Sequence, residues 1–198
     1  MTEQTVLLRA FDHAKLTGDG RTITGRVVPY NEPARVADDP NGPLYDEMFA
    51  PGSFKRAVRS TAAGRRVDLR YGHSDSVLEV IGPSIELQER NDGLWGSFRA
   101  MERSAAAEQA LAMIEAELID GFSVGFVPLR SLNGPRGVVV RAACHLDHVG
   151  LVRDPAYKGA LIESVRSAPV EALSRELQAL RPVPNKALDD RLAKLRGQ

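Results

Sequence analysis

Leu78-Glu79-Val80-Ile81-Gly82-Pro83-Ser84-Ile85-Glu86-Leu87, then Asn91-Asp92-Gly93, then Leu94-Trp95-Gly96-Ser97-Phe98-Arg99-Ala100 is the stretch that decides the fold. Both flanking runs carry β-branched and aromatic residues in partial alternation, which places their side chains on two faces of an extended chain. Asn, Asp and Gly between them tolerate positive φ, so they turn one strand back on the next. An antiparallel hairpin follows.

The same pattern repeats outward. Candidate strands run Val6 to Phe11, Thr22 to Pro29, Val67 to Tyr71, Ser123 to Leu129, Val138 to Ala142 and Val149 to Val152, and Asn133-Gly134-Pro135-Arg136-Gly137 supplies a second turn. Two helices interrupt the series. Ser104 caps one whose Ala107, Leu111, Ile114 and Leu118 share a face, with Gly121 as its expected end. A shorter one is expected to begin near Pro51-Gly52-Ser53, to turn Phe54 and Val58 inward, and to break at Ala63-Gly64.

The expected architecture is an α+β domain over residues 1–164 with a small, mostly antiparallel β-barrel core and surrounding helices. A C-terminal helical tail follows over residues 165–198. There Ser167-Ala168-Pro169 starts a helix with Val170, Leu173, Leu177 and Leu180 at heptad-like spacing, Pro182 and Pro184 stop it, and Leu188, Leu192 and Leu195 form a shorter stripe. The stripe is either a surface helix packed on its own domain or a partner-binding tail.

Composition limits the function classes. In 198 residues, 26 Lys and Arg balance 26 Asp and Glu, so no global field draws in nucleic acid or an anionic membrane, and neither is an expected partner. Hydrophobic residues at 43% against 26% charged suit a globular chain with one sizeable core. Cys144 is the one cysteine, so no internal disulfide is available. Met1-Thr2-Glu3-Gln4 lacks a basic-then-apolar leader pattern and no apolar run approaches the ~20 residues that span a bilayer, so a cytosolic location is expected.

The histidines are His13, His73, His145 and His148. His73 follows a predicted strand in Leu69-Arg70-Tyr71-Gly72-His73, a good perch for a base. Ser123 lies between glycines in Gly121-Phe122-Ser123-Val124-Gly125-Phe126, where a substrate backbone can approach closely. Taken alone, a serine beside glycines is usually a turn residue and a lone histidine usually structural. His148, before the Val149 to Val152 run, is a third group able to orient His73 through a ring nitrogen. A zinc site from His145, His148, Asp147 and a remote His73 fits poorly, because strand residues three apart face opposite ways. Cys144 reads as a small core residue, and no metal or cofactor is expected.

These residues resemble a known family. Gly25-Arg26-Val27-Val28-Pro29-Tyr30-Asn31, Phe49-Ala50-Pro51-Gly52-Ser53-Phe54, Leu69-Arg70-Tyr71-Gly72-His73, Asn91-Asp92-Gly93-Leu94, Gly121 to Phe126, and Val149-Gly150-Leu151-Val152-Arg153-Asp154-Pro155-Ala156-Tyr157 stand in the order found in the prohead proteases of tailed bacteriophages. That family comprises capsid-maturation serine proteases related in fold to herpesvirus assemblin. The resemblance covers roughly residues 22 to 160.

It implies a herpesvirus-protease-like fold and a serine endopeptidase that cleaves the major capsid protein and its scaffold segment, with self-cleavage left open. The implied location is the host cytoplasm, inside the assembling procapsid, with self-association left open. It also implies Ser123 as nucleophile and His73 as general base. Where many members look to have glutamate, this chain has His148, similar to the Ser-His-His arrangement of assemblin, with Asp147 as the competing third residue. Backbone N–H groups around Gly150 to Asp154, with Arg153, are the candidate oxyanion donors, placed by their proximity to the His148 strand. A base with an ordinary histidine pKa of ~6.5 would lose activity as pH falls below neutral. The alternative from another class is a non-catalytic assembly protein that keeps the fold and scaffolds capsid subunits.

Overall fold

The computed structural model describes residues 7–12, 15–17, 20–38 and 41–153. The expected tail over 165–198, and His13 and Asp154, lie outside the described residues. The hairpin forms as its sequence dictates: β7 (Val80–Arg90) runs back along β8 (Gly93–Arg99), with Arg90 opposite Gly93. β8 also pairs with β3 (Thr22–Pro29), the strand read from Thr22 to Pro29.

The other strands are β1 (Leu7–Asp12), β2 (Lys15–Thr17), β4 (Ala34–Val36), β5 (Tyr45–Phe49), β6 (Asp68–Tyr71), β9 (Gly121–Asn133) and β10 (Val139–Val152). Hydrogen-bonded neighbours run β1-β9-β10-β6-β7-β8-β3-β2, with β5 joined to β10 and β4 to β5. Pairing is antiparallel except along one edge of β10. There β5 pairs in parallel with Val139 to Arg141 and β6 with His148 to Leu151. The loop entering the first helix bridges the interval, since Ala50 N–H donates to the Arg141 carbonyl and Cys144 N–H to the Ser53 carbonyl.

The expected barrel is not closed. Closure needs two partners for every strand, and among the described residues β1 pairs with β9 alone and β2, three residues long, with β3 alone. Alternation shows which face of each strand is buried; it does not show where the sheet ends.

The helices are α1 (Lys55–Ala62) and α2 (Ala105–Glu115). α1 follows buried Phe54 and ends before Gly64, whose φ of +87° suits a residue without Cβ. Ser104 Oγ accepts the Ala107 N–H at 3.3 Å and caps α2. Ala107, Ala110, Leu111 and Ile114 face the core. Leu118 lies past the helix end and is 49% exposed, and Gly121 opens β9 instead of ending α2. The helix stops earlier because Glu117 adopts φ 55°, a left-handed turn.

Phe49, Phe54 and Phe126 stack in the core, with Phe49 5.5 Å from Phe54 and 5.1 Å edge-on from Phe126 between ring centroids. Each fully buried aromatic of this size contributes ~1.5–3 kcal/mol. Where β10 begins, Arg141 meets fully buried Glu47 at 2.6 Å. Its guanidinium also donates to Ser131 Oγ at 2.9 Å and to the Tyr45 hydroxyl at 2.8 Å. That pins β10 to β5 by charge and to β9 by a hydrogen bond.

Candidate active site

Ser123 is the third residue of β9, paired with Ala10 of β1 and Gly150 of β10. It is therefore a strand residue in the middle of three strands, and buried. The glycine beside it has a different purpose from the one expected. A Cβ on Gly125 would collide with the ring of His148 on the neighbouring strand, so the missing side chain makes room for that imidazole.

His73 stands two residues beyond the end of β6, after Gly72 with its φ of +60°. Three contacts hold this turn. Gly72 N–H donates to the Leu151 carbonyl at 2.9 Å, and Arg70 donates to the Ser74 carbonyl and to Asp75, each at 3.3 Å. Gly150 completes the approach, because a Cβ there would strike the Gly72 carbonyl.

His148 belongs to β10, buried at 3% exposure. The two runs read separately as Val138 to Ala142 and Val149 to Val152 form one fourteen-residue strand. Irregular register between Arg141 and Ala143, between Ala143 and Cys144 and between Leu146 and His148 hides its alternation. At the last of these, Leu146 pairs with Phe126 and His148 with Gly125, leaving Asp147 as the extra residue of a β-bulge.

These elements bring four side chains into a row. Ser123 Oγ lies 2.5 Å from His73 Nε2, and His73 Nδ1 lies 2.8 Å from His148 Nε2. His148 Nδ1 lies 2.8 Å from Asp147 Oδ2. The two rings meet edge-on, at 66° between planes. Sequence reasoning set His148 and Asp147 against each other for one position; the structure brings both together, in series. Adjacent strand residues normally diverge, and the bulge is what lets Asp147 reach its neighbour.

Burial first, then the neighbouring His148 and the Arg70 guanidinium, lower the His73 pKa from 6.5 to about 4. The imidazole is therefore neutral at pH 7. Cys144, 1% exposed, has its thiol pushed up to about 12, chiefly by burial, and is protonated at neutral pH. It is a core residue, as its sequence context suggested. His145 is exposed while His148 is buried, so the two face opposite ways as the spacing required.

Arg153 follows the last residue of β10 and is exposed. With Tyr71, Met113, Leu118, Ile119 and Leu151 it lines a cavity of about 460 Å³, largely apolar in its walls. Gly72, next to His73, and Leu151, next to Gly150, both line this cavity, which sets it beside the row. Among the described residues no helix is long and apolar enough to cross a membrane.

Comparison with known families gives the class of protein: this chain belongs to the Caudovirus prohead serine protease family, whose model matches residues 9–175. It is a peptidase of phage capsid maturation. The matched stretch runs past residue 164, where the tail was expected to begin. Among solved structures, the bacteriophage T4 capsid assembly protease, gp21, superposes with a TM-score of 0.49 at 10% sequence identity, over 82% of this chain and 99% of that one. No curated protein sequence matches the chain.

Proposed function

We propose that this chain is a serine endopeptidase that cleaves the major capsid protein and its scaffold segment inside the assembling procapsid. In this reading Ser123 is the nucleophile, His73 the general base and His148 the group that orients it. The observation that carries it is the continuous contact from Ser123 Oγ through both nitrogens of His73 to His148 Nε2, at 2.5 and 2.8 Å.

The chemistry follows from those contacts. Ser123 Oγ attacks the carbonyl carbon of the scissile bond while His73 Nε2 takes the hydroxyl proton. The imidazolium passes that proton to the departing amine nitrogen, which leaves an acyl ester on Ser123. Water, giving its proton to the same Nε2, then attacks the ester, and the proton returns to Ser123 Oγ. Positioned proton transfer of this kind contributes ~10²–10⁴-fold.

His148 fixes the His73 ring so that Nε2 faces the serine. A neutral histidine stabilises an imidazolium less than a carboxylate does, and a base with a lowered pKa accepts protons less readily, so turnover is slow. Enzyme and substrate packed together at high local concentration tolerate slow turnover. Arg153, at the cavity beside the row, is proposed to donate to the developing oxyanion. Gly150 acts in positioning, through the approach of the Gly72 carbonyl that its missing side chain permits. The segment over 165–198 is proposed to recruit the enzyme to the shell, outside the chemistry.

Co-expression of the chain with its cognate capsid protein tests the reading. The wild type is expected to trim the capsid protein, and Ser123→Ala to leave it whole while shells still assemble. Unaltered trimming by Ser123→Ala removes the assignment.

A further inference from the structure

We infer that Asp147 is a positioning residue that sets the direction of the hydrogen-bond row ending at Ser123, an inference that rests on the Ser123–His73–His148 reading above. The argument is one of donors and acceptors. A neutral imidazole has one N–H and one bare nitrogen, and an ionised carboxylate only accepts. All four ring nitrogens of His73 and His148 are engaged within the row.

For His73 Nε2 to accept from the Ser123 hydroxyl, His73 must carry its proton on Nδ1. That N–H then donates to His148 Nε2, which must be bare. His148 therefore carries its proton on Nδ1, which needs an acceptor, and Asp147 Oδ2 stands 2.8 Å away. Read backwards, the carboxylate forces each choice in turn. Two neutral histidines without it are equally satisfied in the reverse arrangement, in which His73 Nε2 carries a proton and is no longer a base.

The backbone supports a dedicated placement. Asp147 is the unpaired residue of the bulge between Leu146 and His148, and its side chain keeps 39% of its exposure while the His148 side chain keeps 4%. The bulge thus aims a solvated carboxylate at the one nitrogen of a buried imidazole that His73 does not occupy.

Asp147→Asn tests this in the full-length chain. The carboxamide keeps the shape but offers its NH₂ as readily as its oxygen, so either tautomer of His148 is satisfied. With a peptide spanning the bond that the wild type cuts in capsid protein, kcat is expected to fall about 10- to 100-fold while KM stays within about two-fold. That is less than the ~10⁴-fold typical of neutralising a buried orienting carboxylate, because solvent screens Asp147. The thermal unfolding midpoint should not move. In ¹⁵N-histidine NMR the wild type should show His148 protonated at Nδ1 and bare at Nε2, and Asp147→Asn and Asp147→Ala a mixture of tautomers.

A kcat within two-fold of wild type in both variants overturns the inference. So does a wild-type His148 that carries a proton on Nε2. If no cleavage depends on Ser123, the function proposed above fails, and the NMR spectra still decide the direction of the row.

Discussion

β10 carries two buried polar clusters, one where it starts and one where it ends, and they are built on opposite principles. At Arg141 the cluster is built on a charge pair: Glu47 at 2.6 Å, with the Ser131 and Tyr45 hydroxyls accepting from the other two guanidinium nitrogens. At His148 the groups are rings, His73 neutral at pH 7, and the row ends on a hydroxyl beside a cavity. A buried charge pair holds its two strands by mutual attraction and so fixes β10 against β5. The open row keeps a bare ring nitrogen against Ser123, which is what proton transfer requires.

If that contrast holds, variants at the two ends separate stability from turnover. His73→Ala should lower kcat/KM about 10⁴-fold or more with little change in the unfolding midpoint. Glu47→Gln leaves Arg141 buried without its counter-charge, and should cost about 3–5 kcal/mol in chemical denaturation while the folded fraction keeps normal turnover. A variant at one end that produces the other end's effect breaks the comparison.

A smaller effect is expected from Gly125→Ala. The new methyl occupies the space of the His148 ring, and a displacement of about 1 Å in an orienting group costs about 10²-fold in turnover. Gly134→Ala, whose new methyl would press on the Val140 side chain at the other end of the strand from His148, provides the control for a clash remote from the row and should leave kcat/KM of the folded protein unchanged. Equal activity in Gly125→Ala and wild type would show that the ring position is not critical.

The pH profile sharpens the contrast further. His73 must be neutral to act, and its pKa is lowered to about 4, so kcat/KM should hold from neutral down to about pH 5 and be halved near pH 4. This replaces the fall below neutral that an unperturbed histidine implies. The linked stability effect has the same sign. Between the unfolded value of ~6.5 and about 4 only the unfolded chain takes up this proton, so the contribution of His73 is present above pH 6.5 and lost as pH falls to 4. Half-loss of kcat/KM at pH 6.5 would mean that His73 is not desolvated as its surroundings indicate.

Much of this was legible in the residues. Thr22 to Pro29, the hairpin around Asn91-Asp92-Gly93 and the Ser104 cap follow from alternation and local hydrogen bonding, which sequence carries directly. His73 was legible as a residue at a strand end. β2, β4 and β5 were missed because three to five residues carry too little periodicity. β10 was split because its irregular register interrupts alternation where Asp147 leaves the ladder. That bulge is also why Asp147 and His148 looked like alternatives: a regular strand sends neighbours to opposite faces. Gly125 was read as space for substrate, since the ring it accommodates comes from a strand paired across the sheet.

The most direct test of the central claim, that Ser123 is a nucleophile activated by His73, is labelling with a serine-reactive phosphonate followed by intact-mass and peptide mass spectrometry. The wild type should acquire one adduct, located on Ser123. Labelling should be absent in Ser123→Ala and slowed at least about 10²-fold in His73→Ala. An unlabelled Ser123 in a preparation that cleaves capsid protein, or equal labelling in His73→Ala, would contradict the account.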